Sequence, residues 1–288
     1  MRLCIFDSDR IGCVVDNAVV DVTGVYDLLP RPQWPYPKSD WVVEKFNEIK
    51  VELALSVANG QRIPLADVRL KSPIANPGKI IGAPINYRDH ILEANADPEI
   101  NNGKTYTELD KFGLFLKANS SMIGCSDEIQ IPFEARRTDH EIELAVVIGR
   151  EAKRVSREDA LDYVFGYCIG LDMTVRGPEF PGFRKSADTF SVLGPWVVTA
   201  DEIVDPNSLE FSIAVNGEVR QRSNTRYLIF NVQRLIEYAS AMYTLHPGDV
   251  IMTGTPAGVG PVTYGDTLEA TIDGIGSMLV RVERQIRQ

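Results

Sequence analysis

The chain has few of the residues that mark secreted, zinc-binding and membrane proteins. Its cysteines show no paired motif spacing, so we expect reduced, mostly buried thiols at Cys4, Cys13, Cys125 and Cys168. No uninterrupted apolar run reaches membrane-spanning length, and Asp7 comes too early for a secretory signal. These absences predict a soluble cytoplasmic protein.

Basic residues are outnumbered by acidic ones. The sequence has 30 lysines and arginines against 40 aspartates and glutamates, which gives a formal net charge of −10. Since no basic cluster of the nucleic-acid-binding type is present, we do not expect a nucleic-acid partner. The charge repels anionic small molecules at long range, so an anionic substrate would need a local cation or metal.

Histidine is scarce, and its three positions are not equivalent. His90 precedes Glu93 by three residues, so in a helix the carboxylate could orient the imidazole as a general base. His140 is next to Glu141 and would face the opposite side of a strand, while His246 lies in a turn-like sequence. A lone histidine is more often structural, but the spacing to Glu93 makes His90 the best candidate.

Short apolar segments dominate what the sequence does contain. Most have the length of strands, few are helical, and no internal repeat is present. With 44% hydrophobic and 24% charged residues, the 288-residue chain has the composition of a globular protein with a real core. We predict a β-rich α+β fold, with a small N-terminal domain at residues 1–72 and a larger domain at residues 73–288.

The predicted elements follow from periodicity, caps and turn residues. The predicted strands are Met1–Asp7, Gly12–Thr23 with a turn at Asp16–Asn17, Pro64–Leu70, Phe112–Lys117, a run ending at Gly149, Phe165–Asp172, the hairpin Phe211–Val215 and Glu218–Gln221, Val250–Thr253, Thr267–Ile272 and Ser277–Glu283. The predicted helices run from Ser39 or Asp40 to about Val57, from Arg88 onward, from Ser156 to about Val164, and from Asn231 to Tyr243. The polar segment Ala94–Asp110 fits neither pattern, and we interpret it as a mobile segment that could act as a lid.

Two glutamates lie at the entrance of an apolar run that predicts a buried strand. Glu141 and Glu143 are separated by one residue, so on a strand both side chains would project to the same face. Carboxylates held so close repel each other unless a cation lies between them, and a hard ion such as Mg²⁺ or Mn²⁺ takes oxygen ligands. Asp172, which ends another buried run, would complete a three-carboxylate site. The alternative is a solvated strand end that binds nothing.

Basic residues and a glycine-rich loop follow these acids. Arg176 and Lys185 could hold substrate carboxylates or stabilise an enolate, and solvated surface charge is the alternative for each. Residues 253–260 are rich in glycine but lack the Gly-Lys-Ser/Thr of a phosphate-binding loop. We expect this loop to bring backbone amides and Thr255 close to a small ligand.

The ordered set of these motifs resembles the fumarylacetoacetate hydrolase family over Lys79 to Val282. The motifs are Lys79-Ile80-Ile81, Asn86-Tyr87-Arg88-Asp89-His90, Glu141-Ile142-Glu143, Asp172-Met173-Thr174, Arg184-Lys185-Ser186-Ala187-Asp188-Thr189 and Thr253-Gly254-Thr255-Pro256-Ala257-Gly258-Val259-Gly260. The resemblance implies a mixed β-sandwich roll that is usually dimeric, with the larger domain catalytic and the N-terminal domain like the small one that many members have.

The resemblance also implies roles for individual residues. Metal binding by Mg²⁺ or Mn²⁺ falls on Glu141, Glu143 and Asp172. His90 and Glu93 match a water-activating dyad, and Lys185 matches a lysine that contacts the substrate oxyanion. The expected substrate-binding residues are Tyr87, Arg176, Gly254 and Thr255.

Two departures from the family pattern concern the substrate pocket. Pro84 replaces a glycine that often lies two residues before Asn-Tyr, which could bend the approach to His90. The segment Gly177–Phe180 replaces a glutamine that often follows the arginine region. This second change alters the pocket wall and leaves the exact substrate open.

The implied function is that of a metal-dependent hydrolase acting on carbon–carbon bonds in ketonic substances. It would cleave an acylpyruvate, a 2,4-diketo acid such as maleylpyruvate or fumarylpyruvate from aromatic catabolism, to pyruvate and a carboxylic acid. A decarboxylase or isomerase of a 2-oxo or 2-hydroxydiene dicarboxylic acid could use the same metal site. A third hypothesis is a protein that binds an acid or a structural ion without turnover.

Overall fold

A computed structural model describes residues 1–284, which form short helices around three β-sheets. The strands are β1 (Arg2–Phe6), β2 (Arg10–Val15), β3 (Ala18–Asp21), β4 (Arg62–Pro64), β5 (Ile80–Gly82), β6 (Phe115–Lys117), β7 (Met122–Ile123), β8 (Glu128–Ile131), β9 (Thr138–His140), β10 (Ile142–Ile148), β11 (Val164–Asp172), β12 (Thr174–Val175), β13 (Ser191–Thr199), β14 (Glu210–Val215), β15 (Glu218–Asn224), β16 (Val250–Met252), β17 (Gly260–Pro261), β18 (Thr267–Ile272) and β19 (Gly276–Arg284). The α-helices are α1 (Trp41–Glu44), α2 (Phe46–Asn59), α3 (Arg88–Ala96), α4 (Pro98–Asn101), α5 (Leu109–Phe112), α6 (Pro181–Arg184) and α7 (Val232–Met242).

A large mixed sheet forms the centre of the fold. Its strands follow the order β4-β3-β2-β1-β13-β11-β10-β16-β5-β6, with β7 beside β13. The central strands β10, β11 and β13 are buried along almost their whole length, which explains their near-continuous apolar sequences. A five-stranded sheet, β15-β14-β18-β19-β8, and a small sheet, β12-β9-β17, complete the sheet structure.

The two faces of the large sheet bury different layers. Because side chains alternate along β10, Leu144 and Val146 belong to a core shared with Phe211 of the five-stranded sheet, while Val147 belongs to a core shared with Leu53 of α2. The result is two packed sheets with a helix on the outer face. This arrangement confirms the predicted β-rich α+β sandwich.

The N-terminal strands are continuous with the large sheet. β1 pairs with β13 in antiparallel register, with Arg2 opposite Val198 and Leu3 opposite Val197. The N-terminal segment therefore shares both a sheet and a hydrophobic core with the rest of the chain. The division into domains at residues 1–72 and 73–288 stays a prediction.

Most predicted elements are present, and two are wrong. The expected strand Pro64–Leu70 ends at Pro64 and is followed by the 3₁₀ turn Leu65–Asp67, because proline fixes φ and has no N–H for the ladder. The expected helix after Ser156 is only a 3₁₀ turn at Ala160–Tyr163, and the serine hydroxyl contacts the Asp159 carboxylate. Only one helical turn fits before β11 begins.

Two further predictions need new boundaries. The helix from Asp40 is divided at Lys45 into α1 and α2, and Asp40 rather than Ser39 caps it by accepting from the amides of Val42 and Val43. The strand predicted from Phe112 begins at Phe115, because α5 ends at Phe112. Within residues 1–284, no helix combines the length and apolar character that a membrane crossing requires.

Candidate active site and metal centre

Strand pairing brings the three predicted metal ligands together. Glu141 lies at the break between β9 and β10, Glu143 is the second residue of β10, and Asp172 ends β11. The amide of Asp172 donates to the carbonyl of Glu141 at 2.9 Å, which aligns the ends of the two strands. All three side chains are buried, and one carboxylate oxygen of each lies within 4.8 Å of the others. The predicted convergence is confirmed.

The negative charge of this cluster is compensated unevenly. Lys185 Nζ donates to Glu141 and Asp172, both at 2.6 Å, and Arg176 Nη2 donates to Glu141 at 2.9 Å. Burial alone would raise the pKa of Glu141, but Lys185 and Arg176 outweigh it and hold that pKa below its ordinary value. Burial, Asp172 and Glu141 instead raise the pKa of Glu143 well above its ordinary value.

The cluster has the properties expected of a site for a hard divalent cation. Its donors are carboxylate oxygens only, they are withdrawn from solvent, and Glu143 receives no hydrogen bond from a cationic side chain of residues 1–284. An ion between the three groups would relieve the repulsion that raises the pKa of Glu143. The residues therefore fit Mg²⁺ or Mn²⁺.

Lys117 is a buried contact of the cluster that the sequence analysis did not identify. Its ammonium pairs with Asp172 and donates to the Phe190 carbonyl at 3.0 Å. Burial and the neighbouring Lys185 lower the pKa of Lys117, against the pull of Asp172. The strand Phe112–Lys117 was predicted, but its burial was not, and a lysine at the end of a strand needs a partner only where it is buried.

His90 and Glu93 are neighbours on one face of α3, as predicted. Nδ1 of His90 lies 2.8 Å from Oε2 of Glu93. The other carboxylate oxygen of Glu93 accepts from the amide of Gly258 at 2.8 Å, so the glycine-rich loop fixes the carboxylate and the carboxylate fixes the imidazole. With Nδ1 facing a carboxylate, Nε2 is the nitrogen available to accept a proton.

The glycine-rich loop contacts site carboxylates, whereas we expected its amides to face a ligand. The amide of Gly254 donates to Glu143 Oε2 at 2.6 Å, in the same way that Gly258 holds Glu93. Both glycines have φ near +98°, a backbone conformation that L side chains rarely adopt. Gly254 and Thr255 were both predicted to contact substrate. Thr255 lines the cavity described below, and Gly254 does not.

A buried asparagine connects this loop to the start of α3. Asn86 Nδ2 donates to the carbonyls of Thr253 and Phe230, and its Oδ1 accepts from the Phe230 amide at 2.7 Å. These three bonds hold the preceding residue, Ile85, at φ +44°, which is strained for a β-branched side chain. Buried hydrogen bonds thus anchor the residues that lead into α3 and His90.

The metal cluster and the histidine open into one cavity of about 460 Å³. The wall includes seven of the ten predicted site residues: His90, Glu141, Glu143, Asp172, Arg176, Lys185 and Thr255. Tyr87, a predicted substrate contact, does not line this cavity. Its buried ring packs edge-on against the ring of Phe211, with the ring centroids 6.2 Å apart. Pro84, one of the departures noted above, is part of the wall.

Segment 94–110 covers part of this cavity and is tied to the metal centre by ion pairs. Ile100 and Tyr106 of the segment line the cavity. The expectation that the segment is irregular is wrong in part, because it contains α4 and the adjoining ends of α3 and α5. Its role as a lid stays a prediction. Arg137 donates from Nη1 to the Asp97 carboxylate at 2.8 Å and from Nε to the Asp139 carboxylate at 2.7 Å. The other carboxylate oxygen of Asp139 accepts a hydrogen bond from Arg176 Nε. The chain of charges continues from Arg176 to Glu141. Asp139 is the buried carboxylate between Arg137 and Arg176, and its role was not predicted from the sequence.

Comparison with known proteins places the chain in a family. Residues 79–283 match the family described as Fumarylacetoacetate (FAA) hydrolase C-terminal. The chain belongs to the fumarylacetoacetate hydrolase family. The predicted resemblance is therefore confirmed over most of the sequence.

Individual proteins are similar to this chain over nearly its whole length. Maleylpyruvate hydrolase of Aquipseudomonas alcaligenes is 51% identical over 284 residues, covering 98% of this chain and 99% of that protein. The structure of maleylpyruvate hydrolase of Sphingobium sp. SYK-6, in complex with manganese(II) and pyruvate, is 38% identical, with a TM-score of 0.85 and coverage of 99% and 100%. The mitochondrial oxaloacetate tautomerase of Xenopus laevis is 39% identical, covering 96% and 89%.

Proposed function

We propose that this protein is a metal-dependent acylpyruvate hydrolase, acting on maleylpyruvate or fumarylpyruvate in aromatic catabolism. The observation that supports it most strongly is that a carboxylate-oriented histidine and a buried three-carboxylate cluster open into the same cavity. The similarity to two maleylpyruvate hydrolases, one of them with manganese and pyruvate bound, supports the same substrate class.

In this proposal Glu141, Glu143 and Asp172 hold Mn²⁺ or Mg²⁺. When bound, such an ion supplies positive charge that polarises the keto acid and stabilises negative charge developing on it. Arg176 and Gly254 keep Glu141 and Glu143 in place through hydrogen bonds of 2.9 and 2.6 Å. Their contribution is to fix the ligands before the substrate arrives.

His90 is the proposed general base. Glu93 accepts a hydrogen bond from Nδ1–H, so Nε2 can take a proton from water as the oxygen attacks the 4-carbonyl carbon of the substrate. The bond between C3 and C4 then breaks, and its electron pair passes to C3 as the enolate of pyruvate. The imidazolium of His90 returns its proton to C3, which gives pyruvate and the carboxylic acid.

Lys185 is the proposed stabiliser of the enolate oxygen. Its ammonium donates to Glu141, Asp172 and the Thr174 hydroxyl, at 2.6, 2.6 and 2.7 Å. Contact with substrate would exchange one of these bonds for a bond to the oxyanion, and the positive charge would act on the oxyanion at close range. Thr255 is a proposed substrate contact, held by Gln221 Nε2 at 2.7 Å.

The finer features of the proposal concern the whole assembly. We extend it to a homodimer in the cytoplasm and to segment 94–110 as a lid over the cavity. The ion pairs from Asp97 and Glu99 to Arg137 support a defined closed position of that segment. Light scattering after size exclusion tests the dimer, since a mass near 32 kDa would indicate a monomer.

Decarboxylation or isomerisation of a 2-oxo dicarboxylic acid is the second candidate. The 39% identity to an oxaloacetate tautomerase over 96% of the chain favours it, because that relative also acts on a 2-oxo diacid. The two candidates differ in whether a water molecule takes part. Hydrolysis needs an activated water, whereas tautomerisation needs only proton transfer at carbon.

Pyruvate release from maleylpyruvate and fumarylpyruvate tests the proposal. The assay is run with Mn²⁺, with Mg²⁺ and with excess EDTA. Stoichiometric pyruvate that EDTA suppresses is the expected result, and the better metal and isomer define the finer specificity. Absence of pyruvate from metal-bound protein would contradict the proposal, and CO₂ release or keto–enol exchange would then identify the second candidate.

A further inference from the structure

Among residues 1–284, a buried arginine in the cavity wall has no carboxylate partner. Arg184 is 7% exposed and ends α6, and its Nε donates to the Glu179 carbonyl at 2.8 Å and its Nη1 to the Val175 carbonyl at 3.4 Å. A guanidinium has five N–H donors. Within residues 1–284, no hydrogen bond reaches Nη2 and no salt bridge reaches Arg184.

The carboxylates around Arg184 are already paired with other cations. Glu179 pairs with Arg136 at 2.7 Å, and Glu141 pairs with Arg176 and with a lysine. Burial and the positive charge of Arg176 lower the pKa of Arg184, as expected for a cation whose charge is not balanced nearby. Leaving a cation buried and unpaired is costly, so the site favours an anion that enters through the cavity.

We propose that Arg184 binds the distal carboxylate of a dicarboxylic acylpyruvate and thereby selects substrates with an acidic acyl half. The inference rests on the proposed function. Maleylpyruvate and fumarylpyruvate have one carboxylate beside the 2-oxo group and a second at the end of the acyl half. The keto-acid end belongs at the three-carboxylate centre, and the distal carboxylate meets the free donors of Arg184, whose planar geometry suits bidentate binding.

The surroundings of Arg184 fit a specificity pocket. The segment Gly177–Phe180, which replaces the glutamine common in the family, provides the carbonyl that holds Nε, and Phe180 lines the same cavity. Because the protein has a net charge of −10, a dianionic substrate needs a local cation to enter, and Arg176 and Lys185 are already paired with protein carboxylates.

The test compares two substrates within one enzyme preparation. We expect Arg184→Met to lower the ratio of kcat/KM for maleylpyruvate to kcat/KM for the monocarboxylic acetylpyruvate by about 100-fold, through KM, because charge-assisted bonds to one substrate are lost. Arg184→Lys, which keeps the charge but not the planar fork, should restore part of the ratio. Because both substrates are measured on the same preparation, the ratio of the two kcat/KM values does not depend on the fraction of protein that is folded. An unchanged ratio in Arg184→Met would overturn the proposal.

Lys104→Met is the matched control. Lys104 also lines the cavity but is exposed, with its ammonium 5.6 Å from the centroid of the Phe180 ring. We expect its removal to change the ratio less than threefold, since a solvated charge adds little to binding. A loss in Lys104→Met equal to that in Arg184→Met would indicate general electrostatic attraction and would also overturn the proposal.

Product binding separates failure of this inference from failure of the proposed function. Calorimetry with maleate and with the monocarboxylate crotonate needs no turnover. If wild-type protein released no pyruvate but bound maleate at least about tenfold tighter than crotonate, with the preference lost in Arg184→Met, the carboxylate subsite would stand and the hydrolase would not. Equal binding of the two acids by wild-type protein would overturn the subsite.

Discussion

Glu143 has the least compensated charge in the metal centre. Lysine or arginine side chains bond to Glu141 and Asp172, whereas the hydrogen bond to Glu143 comes from the neutral amide of Gly254. The raised pKa of Glu143 follows from this imbalance. Of the three carboxylates, this one should depend most on a bound cation.

Replacing Glu143 therefore tests the metal centre at the residue scale. We expect Glu143→Ala to weaken Mn²⁺ binding by at least about 100-fold and to abolish pyruvate release with it, because a ligand and a full negative charge are both removed. Calorimetric titration with Mn²⁺ measures the effect. Glu128→Ala, at an exposed position of β8, is the control. Mn²⁺ affinity retained in Glu143→Ala would exclude the proposed ligand set.

Lys185 should act on bond cleavage more than on binding. We expect Lys185→Met to lower kcat by about 100- to 1,000-fold while KM changes less than about threefold, because its charge matters most when the enolate forms. Steady-state kinetics checks this, with the exposed Lys153→Met as control. A raised KM with unchanged kcat would assign Lys185 to substrate binding instead.

The residues that sequence alone identified are those whose chemistry is visible in local spacing. Glu141 and Glu143 alternate along a strand, and His90 and Glu93 are one helical turn apart. Lys117 and Asp139 were not identified, because their importance comes from partners far along the chain: Lys117 meets Asp172, and Asp139 meets Arg176. Long-range pairing of charges has no local signature.

At the scale of elements, the loop of residues 253–260 organises the site. It joins β16 to β17 and donates backbone hydrogen bonds to both Glu143 and Glu93. One loop therefore sets the position of a metal ligand and of the residue that orients His90. The sequence predicted a ligand-binding loop from its glycines, but the direction of its amides depends on tertiary contacts.

Gly258→Ala tests this role of the loop. An alanine Cβ would overlap the Arg220 carbonyl, and φ is +98° at this position, so the loop should shift and lose the bond to Glu93. We expect kcat to fall at least about tenfold with Mn²⁺ binding retained, because the histidine loses its oriented partner. Kinetics and calorimetry on one preparation measure both.

Gly265→Ala is a matched control for the backbone cost. Gly265 also has positive φ, +86°, but a Cβ there would meet no atom within 4 Å. This variant should lose about 1 kcal/mol of stability and keep its kcat. If both alanine variants had wild-type kcat, the loop would have no part in orienting Glu93.

Strands and helices with strong periodicity were predicted well, and the failures have physical causes. The helix α7 has a regular apolar stripe and an asparagine cap, and Asn231 accepts from the Arg234 amide at 3.0 Å. Pro64–Leu70 and Ser156–Val164 had weaker patterns, and their conformation is set by the strands they connect. Local preference decides only where tertiary packing does not oppose it.

At the scale of the whole molecule, metal binding should stabilise the fold. The three ligands come from the ends of two paired central strands, so an ion there couples to the largest sheet. With Mn²⁺ at about 100 times its Kd, we expect stabilisation of about 2.7 kcal/mol and a rise in Tm of about 4–5 °C. Scanning calorimetry with Mn²⁺ and with EDTA measures the shift, and equal Tm values would contradict it.

The central claim is that one cavity combines a metal centre with His90 as the base that activates water. Measuring pyruvate release and Mn²⁺ binding of His90→Ala on the same preparation tests it most directly. We predict wild-type Mn²⁺ affinity with pyruvate release reduced at least about 100-fold, because His90 hydrogen-bonds to Glu93 and, among residues 1–284, to none of the proposed metal ligands. Unchanged pyruvate release from the Mn²⁺-bound variant would contradict the account.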